Sequence, residues 1–237
     1  TLKHLITMKN ILLIGGSYGI GAAIAKQLTD THKVYVASRT QENIPQGVTH
    51  MVFDALTDDI ATLPLPDQID GLVYCPGSIN LKPFKRIKPQ TFQEDLEVNF
   101  LSLVKVLQGL LPKLTATSGA SLVFYSTVAV KVGMPFHTSV SASKGAIEGF
   151  AKALAAEYAP TMRVNVIAPS LTDTPLAGRL LSSDDKKQRM GEMHPLKRIG
   201  TSADIANTAC FLLSEQSSWM TGQVLAIDGG KSTLQTQ

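Results

Sequence analysis

Cysteine is scarce in this 237-residue sequence: only Cys75 and Cys210 occur, far apart and with no His or Cys near either at metal-ligand spacing. That excludes a disulfide framework and a zinc site, and it fits a reducing cytoplasm. Charge is thin as well, at 17% of residues against 44% hydrophobic, a balance that builds a large core and excludes disorder. The formal net charge of +3 is spread along the chain. With no basic block to track a phosphate backbone, no nucleic-acid partner is expected. No apolar run approaches the roughly 20 residues that span a bilayer, and the N-terminus lacks the basic, apolar and small-residue regions of a secretory signal. The expectation is a cytoplasmic protein with no membrane partner. Repeats and low-complexity tracts are missing too.

What is present is alternation. The runs "NILLIG", "KVYVAS", "THMVFD", "DGLVYC", "ASLVFYS", "RVNVIA" and "QVLAID" are apolar on both faces, as strands buried on both sides of a parallel sheet must be. Between them, Gly19–Thr29, Pro89–Leu114, Val140–Tyr158 and Ser202–Ser214 carry helical spacing. The predicted fold is α/β, a Rossmann-type doubly wound parallel sheet in a single domain over residues 8–237. Met8 opens "MKNILLIGG", so residues 1–7 are read as an N-terminal extension or tag remnant. The least regular stretch, 171–200, follows the sixth strand. Its position beyond a strand's carboxyl end predicts a lid over a substrate.

The first strand runs into "GGSYGIG" and then a helix. A phosphate needs backbone N–H donors at a helix N-terminus, and residues without a Cβ let the main chain approach that closely. Gly15, Gly19 and Gly21, with Ser17, Tyr18 and Ile20 between them, therefore form a candidate dinucleotide turn. At the end of the second strand stands Arg39, eighteen residues past Gly21, where an acid would bind a ribose 2′-hydroxyl and an arginine suits a 2′-phosphate. NADP(H) is favoured over NAD(H).

The three residues between Gly15 and Gly19 make this turn resemble that of the short-chain dehydrogenase/reductase family. The resemblance extends through Asn99 in "EVNF", Lys144 in "SASKGA", "NVIAPS", "PLKRIG" and "TGQVLAIDGG", over nearly the whole chain. It implies hydride transfer between a nicotinamide and a carbon bearing a carbonyl or hydroxyl, on a small-molecule substrate. It also implies that Lys144 holds the nicotinamide ribose, that Asn99 links Lys144 to solvent, and that Thr174 contacts the carboxamide. Asp54 matches the family aspartate facing the adenine, and equally reads as a strand-end cap.

The family tyrosine, four residues before the lysine on one helix face, falls on Val140. Valine transfers no proton, and loss of a general acid typically removes about 10²–10⁴ in rate. The serine that orients the substrate oxygen maps to Thr127, thirteen residues before Val140, or to the adjacent Ser126. His137 is a substitute acid if the helix already includes it. The stretch "YCPG" stands where the family has NNAG, placing Cys75 near the cofactor, and Ser170 replaces the glycine after Pro169. Three readings follow: an NADP(H)-binding reductase-like oxidoreductase with weakened or altered catalysis, a non-catalytic dinucleotide-binding or regulatory protein, or an introduced valine. The helix carrying Asn99 is apolar on more than one face, which predicts self-association as a dimer or tetramer.

Overall fold

The computed structural model describes residues 8–236; the N-terminal extension read from residues 1–7 lies outside them. Seven parallel strands form one sheet: β1 (Asn10–Ile14), β2 (Lys33–Ser38), β3 (Thr49–Val52), β4 (Gly71–Tyr74), β5 (Ala120–Tyr125), β6 (Met162–Pro169) and β9 (Val224–Ile227). Their order is β3-β2-β1-β4-β5-β6-β9. Each coincides with one of the seven apolar runs. The chain turns one way from β1 and the other way from β4, so the crevice beyond the carboxyl ends of these two strands is where such sheets take ligands.

Alternation of side chains explains why the runs are continuously apolar. Leu12 and Ile14 join Leu72, Phe124 and Val166 in one core layer, while Ile11 and Leu13 join Val73, Val123 and Ile167 in the other. The first layer is closed by α3 (Ser102–Thr115) and α5 (Thr138–Tyr158), which contribute Leu103, Leu107, Leu110, Ile147 and Ala151. The second is closed by α1 (Gly19–Leu28) and α7 (Ser202–Leu213), through Ile24, Ala25, Leu28, Ile205 and Leu212. Removing a side chain such as Leu12, fully buried, costs about 2–5 kcal/mol.

Three boundaries differ from the sequence expectation. The helix expected over Pro89–Leu114 is interrupted: α2 (Pro89–Leu96) and α3 are joined by a π-turn, Glu97–Leu101, that contains Asn99. The extra residue of a π-turn re-aims a side chain without ending the helix. α5 begins at Thr138, two residues before Val140, so His137 stands at its N-cap, outside the helical face its substitute role required. The stretch 171–200 is less irregular than its composition suggests. It holds α6 (Asp184–Glu192), capped by the Ser183 hydroxyl, and a two-stranded ladder of β7 (Thr172–Asp173) with β8 (Gly200–Thr201). A short helix, α4 (Ala129–Val132), completes the set. Among the described residues, no helix is long and apolar enough to cross a membrane.

Candidate active site

The glycine turn is shaped by its backbone. Gly15 and Gly19 have φ of 77° and 58°, in the left-handed region that Cβ-bearing residues avoid. A Cβ on Gly21 would lie 2.2 Å from the Gly15 carbonyl oxygen, so the helix packs onto the turn only with glycine there. At the start of α1 the Tyr18 side chain makes no capping bond and the first turn carries no acid. An uncapped first turn without an acid is an arrangement that could receive an anion. Ile20 anchors the helix in the layer beneath.

Ser17, buried, fixes the next element. Its hydroxyl accepts from Thr40 Oγ1 at 3.1 Å and its carbonyl from Asn43 Nδ2 at 3.4 Å. These bonds tie the turn to the segment that follows β2, where Arg39, the residue before Thr40, is exposed and in no ion pair among the described residues. Thr174 reaches the turn from the far side, its Cβ 3.6 Å from where a Gly19 Cβ would stand. Asp54 spends one carboxyl oxygen on the Leu56 N–H at 3.0 Å, the strand-end cap.

On the other side of the switch point, Cys75 N–H donates to the Ile14 carbonyl, and the chain turns through Pro76 to Gly77. A Cβ on Gly77 would be 3.2 Å from both Asn99 Oδ1 and Lys144 Nζ, so these two groups converge on the bare glycine backbone. Asn99 is fully buried. Its Oδ1 accepts the Ser78 N–H at 3.1 Å, and its Nδ2 is within bonding distance of Ser78 Oγ, Ser143 Oγ and the Asp95 carbonyl. Lys144 is 8% exposed, and burial lowers its pKa to about 8, opposed by the negative charge of Asp95. Burial pushes the Cys75 thiol up to about 12, so it stays a protonated, inert neighbour.

The two hydroxyl candidates separate. Ser126 is buried and donates to Glu148 Oε1 at 2.5 Å. Thr127 is half-buried and accepts the Ala129 N–H at 3.3 Å, leaving its own proton unspent. Val140 is buried one turn before Lys144. His137 directs Nδ1 at the Pro135 carbonyl, 2.7 Å away. Neither nearby tyrosine takes over: Tyr74 pairs with Ser102 Oγ, and Tyr125 packs in the layer under α1 and α7, with burial raising both.

Sequence reading missed a polar cluster built on Asp95, a residue of α2 with no exposed surface. Its carboxylate accepts from Ser78 Oγ at 2.5 Å, Asn80 Nδ2 at 2.7 Å and Ser139 Oγ at 2.6 Å. The available signal was an acid four residues before Asn99, on the same face. His194 was missed as well; it is buried and bonds Ser170.

A glycine turn at a sheet switch point, with buried Lys144 and Asn99 converging on Gly77, is the arrangement of the doubly wound α/β fold class. The chain belongs to the short-chain dehydrogenase/reductase family: the family model described as enoyl-(acyl carrier protein) reductase matches residues 51–232. The chain is 31% identical to 3-oxoacyl-[acyl-carrier-protein] reductase of Chlamydia muridarum, over 97% of this chain and 99% of that protein. Among solved structures it is similar to the aldohexose dehydrogenase of Thermoplasma acidophilum, with a TM-score of 0.87, 26% identity and 97% of each chain covered. It also has the fold of ElxO, solved with NADP bound, at a TM-score of 0.87 and 24% identity, covering 96% of this chain and all of that one.

Proposed function

We propose that the protein is an NADP(H)-dependent oxidoreductase acting on a carbonyl or hydroxyl group of a small molecule, with Val140 in the family tyrosine's position and proton delivery altered accordingly. The observation that carries this reading is the convergence of Lys144 Nζ and Asn99 on Gly77, across the switch point from the glycine turn. The uncapped start of α1 fits a pyrophosphate, and Arg39 after β2 fits a 2′-phosphate; ElxO carries NADP in the same fold. When bound, such a cofactor supplies or accepts the hydride. The chain's own part is to hold and orient. Thr127 offers its hydroxyl to the substrate oxygen. Lys144, an ammonium below about pH 8 and with no hydrogen-bond acceptor of its own among the described residues, is the group left to donate a proton at the vacated position.

The test is NADPH oxidation against a panel of aldehydes, ketones and quinones, comparing the unaltered protein with Val140→Tyr and with Val140→Phe, which adds ring bulk without a hydroxyl. A gain of about 10²–10⁴ in turnover with tyrosine, absent with phenylalanine, identifies a reductase lacking its usual acid. Turnover by the unaltered protein that declines as pH rises through about 8 supports Lys144 as donor. No turnover by any form, with NADPH still bound, leaves the second reading, a non-catalytic nucleotide-binding protein, which Val140 itself favours.

A further inference from the structure

The cluster around Asp95 is not accounted for by cofactor binding or by the residues the family resemblance assigns. A carboxylate with no exposed surface is costly unless its charge is compensated, and Asp95 belongs to no ion pair among the described residues. Its three donors are all neutral: two serine hydroxyls and an amide. Lys144, 8% exposed, is a cation with no hydrogen-bond acceptor among the described residues. The two lie on either side of one polar bridge. Ser78 Oγ donates to Asp95 and accepts from Asn99, and Asn99 Oδ1 shares with Lys144 Nζ the space over Gly77.

We propose that Asp95 is the buried counter-charge of Lys144, a positioning residue that acts through Ser78 and Asn99 to keep the lysine an ammonium in the active site. The proposal rests on the reading of Lys144 as the group facing substrate and cofactor, and it deepens that reading. The other groups around Lys144 do not serve. Cys75, at the end of β4, is a neutral thiol, and Glu148, one turn further along α5, is spent on Ser126. Asp95 is the carboxylate whose field raises Lys144 against the burial that lowers it. In a water-poor interior this attraction falls off slowly, so direct contact is not needed. Ser139 gives the pair its rigidity: it precedes Val140 on α5 and locks that helix to α2 through Asp95. Near neutral pH, where burial alone leaves Lys144 poised to lose its proton, the counter-charge decides how much ammonium is present.

The experiment is an NMR titration of the Lys144 13Cε and 15Nζ resonances in lysine-labelled protein, assigned by their loss in Lys144→Arg, and compared with Asp95→Asn and Ser139→Ala. In Asp95→Asn the acid dissociation constant of Lys144 should rise by about tenfold or more. Ser139→Ala, which keeps the charge and removes one bond, should leave it within about twofold. An unchanged Lys144 titration in folded Asp95→Asn overturns the proposal, as does an equal shift in both variants, which marks a purely structural role. If Asp95→Asn does not fold, the unaltered protein decides. With 13Cγ-labelled aspartate, the Asp95 signal should step at the Lys144 midpoint, and no step there overturns the pairing. These readouts need no turnover, so they stand apart from the NADPH assay that tests the oxidoreductase reading.

Discussion

The Ser170 hydroxyl is hydrogen-bonded to Nε2 of His194 at 2.9 Å, while Nδ1 of the same ring meets the Met190 carbonyl at 2.8 Å. A carbonyl only accepts, so Nδ1 donates to Met190, and in the neutral tautomer Nε2 is then the acceptor for the Ser170 hydroxyl. The bond joins the end of β6 to the segment after α6, and so ties the stretch 171–194 to the sheet across its own base. The serine that departs from the family's glycine therefore has a partner. Ser170→Gly strands a buried ring nitrogen and should cost about 1–3 kcal/mol in urea unfolding. Limited trypsin digestion should then cut faster at Arg179, Lys186 or Lys187 than in the unaltered protein. Equal digestion rates would separate this bond from the order of the segment.

Cofactor choice is predicted from Arg39. Its removal by Arg39→Asp takes away a guanidinium and adds a repelling carboxylate at the proposed 2′-phosphate site. NADPH affinity, read by fluorescence titration, should fall about 10–100-fold, in line with roughly 1.5–3 kcal/mol for hydrogen bonds to a charged group. NADH affinity should hold or improve. A parallel loss of both would mean that Arg39 supports the turn and does not read the 2′-phosphate.

Stability at low pH should report on Asp204. Its carboxylate closes a capping box with Thr201 at the start of α7 and receives both Arg198 Nη groups, at 2.6 and 2.8 Å. The Arg198 fork, with the Thr201 bonds, holds the Asp204 carboxyl well below the usual range. A depressed carboxylate contributes stability above its unfolded pKa, near 4, and loses that contribution as pH falls toward the folded value. Asp204→Asn should therefore destabilise by about 0.5–2 kcal/mol at pH 7, a modest figure because the pair is partly solvated. The difference from the unaltered protein should close as pH drops below about 4. A gap that persists into acid would assign the effect to packing.

The strands were legible because burial on both faces leaves a local trace, seven continuous apolar runs. The glycine turn was legible because left-handed φ and a 2.2 Å approach tolerate glycine alone. The π-turn at Asn99 was not, since one inserted residue in a helix barely disturbs its apolar spacing. Nor was α6, whose sequence "DDKKQRMGE" has Met190 as its single large apolar residue and whose start is marked by the Ser183 cap. The start of α5 was not legible either: it lies at Thr138, two residues before the Val140 at which the helical spacing begins, and His137 is its N-cap, outside the helix that its substitute role required.

By itself, then, the sequence determined the doubly wound sheet, the glycine turn between β1 and α1, and the valine one helical turn before Lys144, because each follows from residue type at short separation. The tertiary structure alone decided which hydroxyl is free at the end of β5, that Ser170 meets His194, and that a buried carboxylate at Asp95 faces Lys144 through Ser78 and Asn99. Those relations join residues from 17 to 49 positions apart on different elements. Their energetics depend on burial and orientation, which no local pattern encodes.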